Sequence, residues 1–247
     1  MDLSDEIRNY QVSSPLPAEK IKTSREYKVL AILKYSFPER FADLHKGEAP
    51  DLQDVKSNTG IEVSSAFSPR DERITGESIK YSHAKTEEER ERCLRIIQNC
   101  GGTRDEISTG YPVSTIESNK ADVIDVFRKK LKKTDQYHKQ FQHIGLAIII
   151  DIPLFFFYDH EWGKWFDEIN GEKFEFLAIV HWSGVDIYDF RTRKYLTKRI
   201  NREDMDALGR LARMAAEGII KDDDPVWQEN PSNKKSFKSV RFREIKQ

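Results

Sequence analysis

The continuous apolar run Gly145-Leu-Ala-Ile-Ile-Ile-Asp151 constrains this chain more than any other stretch. A strand wetted on one face alternates apolar and polar residues. One covered on both faces has no reason to alternate. Pro153 ends the run. The chain must therefore supply a sheet with helices on both faces, and its flanks do. Upstream, a helical pattern from about Ser118 to Gln140 carries Ile124, Phe127 and Leu131 as an apolar stripe, with a strongly basic middle (Arg128, Lys129, Lys130, Lys132, Lys133). Before it, Pro50–Phe67 reads as two short strands around the polar turn Lys56-Ser-Asn-Thr-Gly60. The order hairpin, helix, buried strand predicts a crossover that sets the 145–151 strand beside the hairpin in one mixed sheet. The fold class is α/β.

The rest of the chain fits one domain over residues 23–224, after a polar lead-in (1–22) and before a basic tail (225–247). Thr23-Ser-Arg-Glu26 reads as a capping box opening a helix to about Tyr35, with Leu30, Leu33 and Phe37 at helical spacing. Pro38 ends it, and a short helical piece covers Glu39 to His45. Residues 68–118 form an insertion. Its first part, 68–85, is polar and irregular; a helix spans Thr86 to Cys100; Gly101-Gly102 stops it. After the buried strand come Leu154–Tyr158, an aromatic helix around Trp162–Ile169, and extra strands over Phe174–Trp182 and Val185–Phe190. Arg191–Ile200 is a polar, exposed strand or connection, and Asn201 caps a last helix to about Ile220.

Composition narrows the function classes. The chain has 41 basic and 42 acidic residues, so its net charge of −1 gives no global pull toward nucleic acid; any such binding must come from a local patch. Cys93 and Cys100 are too few for a disulfide framework and lack zinc partners; they read as packing residues. No apolar run reaches membrane-spanning length and MDLSDEIRNY is not a signal peptide, so the expectation is a cytoplasmic protein with no membrane partner. No phosphate-cradling glycine loop, Gly-x-Ser-x-Gly elbow or paired metal-spaced histidines occur.

The chemistry concentrates in the hairpin. Asp51 follows Pro50 at the start of the first strand. Glu62 lies eleven residues later, between Ile61 and Val63 and just after Gly60. Two such carboxylates converge when the strands pair, and two convergent carboxylates hold a hard divalent cation. Side chains alternate, so Glu62 and Ser64 share one face. Taken alone, Asp51 also fits a turn and Glu62 a solvent-facing strand position. Glu26, on the stripe of Leu30, is a third acid, with Glu19 and Glu39 as alternatives. Lys130, Lys133 and Tyr137 stand at i, i+3 and i+7 and share a helix face. Asp151 with Asp159 and His160 is another acid group. His181 and Trp182 read as packing at a hairpin, and Trp162 and Trp165 as core or as stacking platforms for bases.

The Pro-Asp step, the spacer and Gly-Ile-Glu-Val resemble the core of the PD-(D/E)XK phosphodiesterase superfamily, which has the restriction-endonuclease-like fold. The resemblance covers roughly residues 23–151. It implies a mixed β-sheet flanked by helices, here with an inserted helix and extra C-terminal strands. It also implies Mg²⁺ or Mn²⁺ held by Asp51 and Glu62, and nuclease activity on DNA or RNA. Glu26 would be the helix acid. The superfamily lysine two residues after the second acid is Ser64 here, so Lys130 or Lys133 would replace it, with Ser64, Tyr137 and Lys129 touching substrate. The rival expectation is a module of the same fold without chemistry, binding nucleic acid or a protein partner, the latter through its aromatic C-terminal third. A homo-oligomer is also open. A third is an unrelated α/β domain in which the two carboxylates lie far apart.

Overall fold

A computed structural model describes residues 5–12, 15–103, 116–150 and 160–227. Its centre is a seven-stranded sheet whose strands lie in chain order: β1 (His45–Lys46), β2 (Leu52–Asp54), β3 (Thr59–Ser65), β4 (His143–Ile149), β5 (Phe176–His181), β6 (Gly184–Asp189) and β7 (Lys194–Arg199). β3, β4 and β5 are parallel; the strands on either side pair antiparallel. β4 is buried on both faces, as its unbroken apolar run predicts, and it lies beside the β2–β3 hairpin.

Two cores sandwich the sheet. On one face Ile61, Val63, Ala147 and Ile149 pack against α2 (Ala18–Ser36) and a C-terminal helix (Arg202–Glu217). On the other, Ile144, Leu146 and Ile148 meet Phe127 and Phe166 from helices over Ile116–Leu131 and His160–Asn170. These are α6 (Ile116–Leu131), α8 (His160–Asn170) and α9 (Arg202–Glu217). α9 is capped as expected: Asn201 Oδ1 accepts from the Asp204 N–H at 2.8 Å, and Gly218, at φ +81°, closes the far end in the left-handed conformation.

Several elements depart from the sequence reading. The lead-in contains a helix, α1 (Asp5–Asn9), that buries Ile7. α2 starts five residues before Thr23, because Ala18-Glu-Lys-Ile-Lys are good helix formers and Pro17 can precede a helix. Thr23 is thus interior, and Glu26 is no capping residue; its carboxylate is spent on ion pairs. The piece after Pro38 is only one turn, α3 (Pro38–Phe41), and His45 enters β1. Residues 69–83, read as irregular, form α4 (Pro69–His83): Ser68 caps it by accepting from Asp71 N–H, Pro69 sits where no N–H is needed, and Ile74 is buried. The insertion therefore holds two helices, α4 and α5 (Glu87–Asn99), the latter opened by a Thr86–Glu89 capping box. The long basic helix breaks after Leu131 and resumes as α7 (Thr134–Tyr137). Arg191–Ile200, read as a polar, exposed strand or connection, does hold a strand, the half-exposed edge strand β7. Asp151, Asp159 and Leu154–Tyr158 lie outside the described residues, as does the tail from 228 onward.

Candidate active site

The hairpin register fixes the two acids. Leu52 pairs with Ile61, Gln53 with Gly60 and Asp54 with Thr59. One step further along the same register sets Asp51 opposite Glu62, with Cβ atoms about 5 Å apart for residues so paired. Asp51 is locked there: its Oδ2 accepts from the Val63 N–H at 2.8 Å, and its own carbonyl accepts from Gly47 N–H at 2.8 Å. Gly60 allows this approach. A Cβ at that position would meet the Pro50 ring at 2.3 Å.

Glu62 is buried and lies on the sheet face opposite Ile61 and Val63, toward α6 and α7. Its Oε1 lies 2.5 Å from Lys130 Nζ. The Tyr137 hydroxyl faces the same carboxylate closely enough to be perturbed by it. Burial first, then the charges of Glu62 and Asp51, push the Tyr137 hydroxyl well above its ordinary value, so it stays a donor. Ser64, half-buried, follows on the same face of β3.

Glu26 is the third acid, and it is buried as the stripe predicts. Lys22, one turn earlier on α2, lies 3.2 Å from Glu26 and 3.3 Å from Asp51. Lys46 of β1 lies 3.0 Å from the other Glu26 oxygen. Three buried carboxylates are thus matched by three ammonium groups from α2, β1 and α6. Their exposures differ. Lys22 keeps 77 % of its side chain in solvent, against 22 % for Lys46 and 19 % for Lys130. Asp51 is the main cause that raises the Lys22 pKa. Arg25, next along α2, donates to Ser65 Oγ at 3.0 Å and stacks over Phe67.

Of the predicted residues, the structure brings together Asp51, Glu62, Lys130 and Tyr137, and links Glu26 to Asp51 through Lys22. Lys129 and Lys133 are exposed, Lys133 in the break between α6 and α7. Glu19 and Glu39 are exposed. Lys22 and Lys46 were missed; the only hint for Lys22 was its i−4 spacing from Glu26. Trp165 belongs to the core edge, against Phe166 and under Arg128. His181 is fully buried, 3.2 Å from Asp186 and 2.8 Å from Arg199, so the hairpin-packing expectation for it gains a polar network. Trp182 beside it is exposed.

A divalent cation suits this donor set in one specific way. Among the described residues, no group of three or more His, Cys, Asp and Glu side chains is disposed to hold a metal ion. Asp51 and Glu62 do present two hard carboxylates across one hairpin. That pair matches Mg²⁺, which commonly takes one or two carboxylates and completes its shell with water and phosphate oxygens. It does not match an all-protein cage. No helix among the described residues is long and apolar enough to cross a membrane. Comparison with family models, curated proteins and solved structures returned no match.

Proposed function

We propose that this chain is a metal-dependent phosphodiesterase of the nuclease type, built on a restriction-endonuclease-like sheet and acting on DNA or RNA. The observation that carries the reading is Lys130. The strand position that would hold the superfamily lysine is Ser64, and a helix lysine stands 2.5 Å from Glu62 on that same face. Asp51 and Glu62 would hold Mg²⁺ or Mn²⁺, with Glu26 nearby through Lys22. When bound, the metal supplies an activated water and neutralises charge at the scissile phosphate.

The chain's own groups do the rest. Lys130 is a fixed cation for the charge that develops on the phosphoryl oxygens as water adds and the P–O bond to the leaving oxygen breaks. Tyr137 holds the Glu62 carboxylate in place. Ser64 offers a hydroxyl to a phosphate oxygen. Lys129 and Lys133, both solvated, hold the polyanion. The test is cleavage of single- and double-stranded DNA and RNA with Mg²⁺ or Mn²⁺. Asp51→Ala with Glu62→Ala should abolish cleavage and keep the native circular dichroism. Full activity in that folded double variant sinks the assignment.

A second reading has its own support: all three acids already have lysine counter-ions, a self-sufficient arrangement. In it the chain keeps the fold and binds nucleic acid or a protein partner without cutting. The two part on Mn²⁺ titration followed by electron paramagnetic resonance. Saturable Mn²⁺ binding that needs Asp51 and Glu62 supports the enzyme; nucleic-acid binding without Mn²⁺ binding supports the module.

A further inference from the structure

Away from the carboxylate hairpin, a cavity of about 250 Å³ opens at the N-terminal end of the parallel strands, between α3, the β2–β3 turn and the starts of β4 and β5. Arg40 lines it. The guanidinium lies over Phe176, with Cζ 4.5 Å from the ring centroid, and 5.3 Å from that of Phe41. Contact with two core aromatics restricts the group and leaves its N–H donors as the free part.

Donor and acceptor accounting then separates Arg40 from its neighbours. The acids around the cavity are already engaged. Asp54 accepts from the N–H groups of Lys56 and Ser57 and from the Ser57 hydroxyl. Glu175 is held by His143 on one oxygen and by Arg191, at 3.3 Å, on the other. Asp189 gives one oxygen to the turn after β6, and its other oxygen is the nearest acid to Arg40, at 3.6 Å. That is an ion pair too long for a hydrogen bond. Among the described residues no acceptor lies within hydrogen-bonding distance of the Arg40 guanidinium, although only 27 % of its side chain is exposed. Burial depresses its pKa. A mostly buried guanidinium with unspent donors, whose nearest acid oxygen, Asp189 Oδ2, stops at 3.6 Å, is a receptor for an anion.

We propose that this cavity is a second ligand site, in which Arg40 takes the terminal oxyanion of a small molecule, a phosphate or a carboxylate, through two parallel N–H···O bonds. The volume lies below the usual range for drug-sized ligands, which limits the guest to a small one. His143 and Arg191, fixed by Glu175, flank the anion. The site is on the sheet face opposite Glu62 and is independent of the phosphodiesterase reading.

Isothermal titration calorimetry of the full chain with inorganic phosphate and, separately, with acetate tests it. Saturable binding of phosphate identifies a phosphate site; binding of acetate alone identifies a carboxylate site. Arg40→Lys keeps charge and bulk but not the planar fork, so affinity should fall about tenfold, and Arg40→Met should abolish binding. Wild-type thermal stability should rise with the bound probe, and that of Arg40→Met should not. The Asp51→Ala, Glu62→Ala double variant should bind as wild type does. Absence of saturable binding of both probes, binding unchanged in Arg40→Lys, or binding lost in the double variant each overturns the assignment.

Discussion

In the β2–β3 hairpin, Asp51 and Glu62 are neutralised by Lys22 and Lys130, which arrive from helices 29 and 68 positions away. In the β5–β6–β7 meander, Asp186 is met by His181 and Arg199, only 5 and 13 positions away on the adjoining strands. Both regions bury acids in antiparallel pairs. The second closes its polar network locally: His181 is fully buried and Asp186 nearly so, and only Arg199, 44 % exposed, reaches solvent. The first borrows its cations, and one of them, Lys22, is mostly in water. A counter-ion on a long, solvated stem can exchange for another cation without disturbing the sheet. That difference is why the first region is the candidate for chemistry and the second for structure.

The contrast can be broken by substitution. Lys130→Met should have the largest effect on stability. It leaves Glu62 buried with only Tyr137, at a cost of about 3 kcal/mol in urea unfolding, and it should remove any cleavage activity. Glu62→Gln in the same chain should restore most of that stability and none of the activity. Next, Asp186→Ala should cost about 2 kcal/mol, because it takes the shared carboxylate from the buried His181 and from Arg199, while leaving Mn²⁺ binding and cleavage intact. A loss of either function there would erase the distinction between the regions.

Tyr137→Phe should cost about 1.5 kcal/mol, as expected where a buried charged acceptor loses a nearby hydroxyl. It also has a signature in pH. Tyr137 ionises only well above its ordinary value in the folded chain, whereas in the unfolded chain it ionises near 10. Above about pH 10 the unfolded state therefore gains, and stability falls by about 1.4 kcal/mol per pH unit for each such group. Tyr27, Tyr35 and Tyr188 shift in the same direction, so the fall should be steep and one group shallower in the variant. The smallest effect is expected at Lys22→Met. An ion pair so exposed contributes under about 1 kcal/mol. Removing the competing ammonium should tighten Mn²⁺ binding, a gain that a purely structural lysine would not yield.

The hairpin acids were legible in the sequence because strand alternation and a short polar turn leave few registers. Lys130 and Tyr137 were legible from helical spacing, and the pairing survives although the helix breaks at 132–133, since α7 resumes in time to carry Tyr137 to Glu62. The β4 strand was legible because nothing but double-sided burial explains its run. Other features left weaker traces. α4 buries one large apolar side chain, Ile74, beside the polar Asp71 and Ser78, so it has no apolar stripe to detect. The start of α2 was hidden by a motif: Thr23 and Glu26 have capping-box spacing, but helix-forming residues before them carry the helix through. Lys46 and Arg40 offered no pattern at all, since their roles depend on which strands and rings end up beside them.

The order in which this sheet can assemble follows from its central pairing. β2 and β3 meet over a few residues, so that hairpin can close early. β3 and β4 follow the contact of Asn58 with Gln142, separated by 84 residues, and closing so long a loop carries an entropic cost that only the finished core repays. Glu62 therefore spends the early part of folding without Lys130, which reaches it only when the α6 crossover docks. Substitutions at Lys130 should accordingly act on the unfolding rate and leave the folding rate nearly unchanged, whereas changes at Gly60 or in the hairpin turn should slow folding itself.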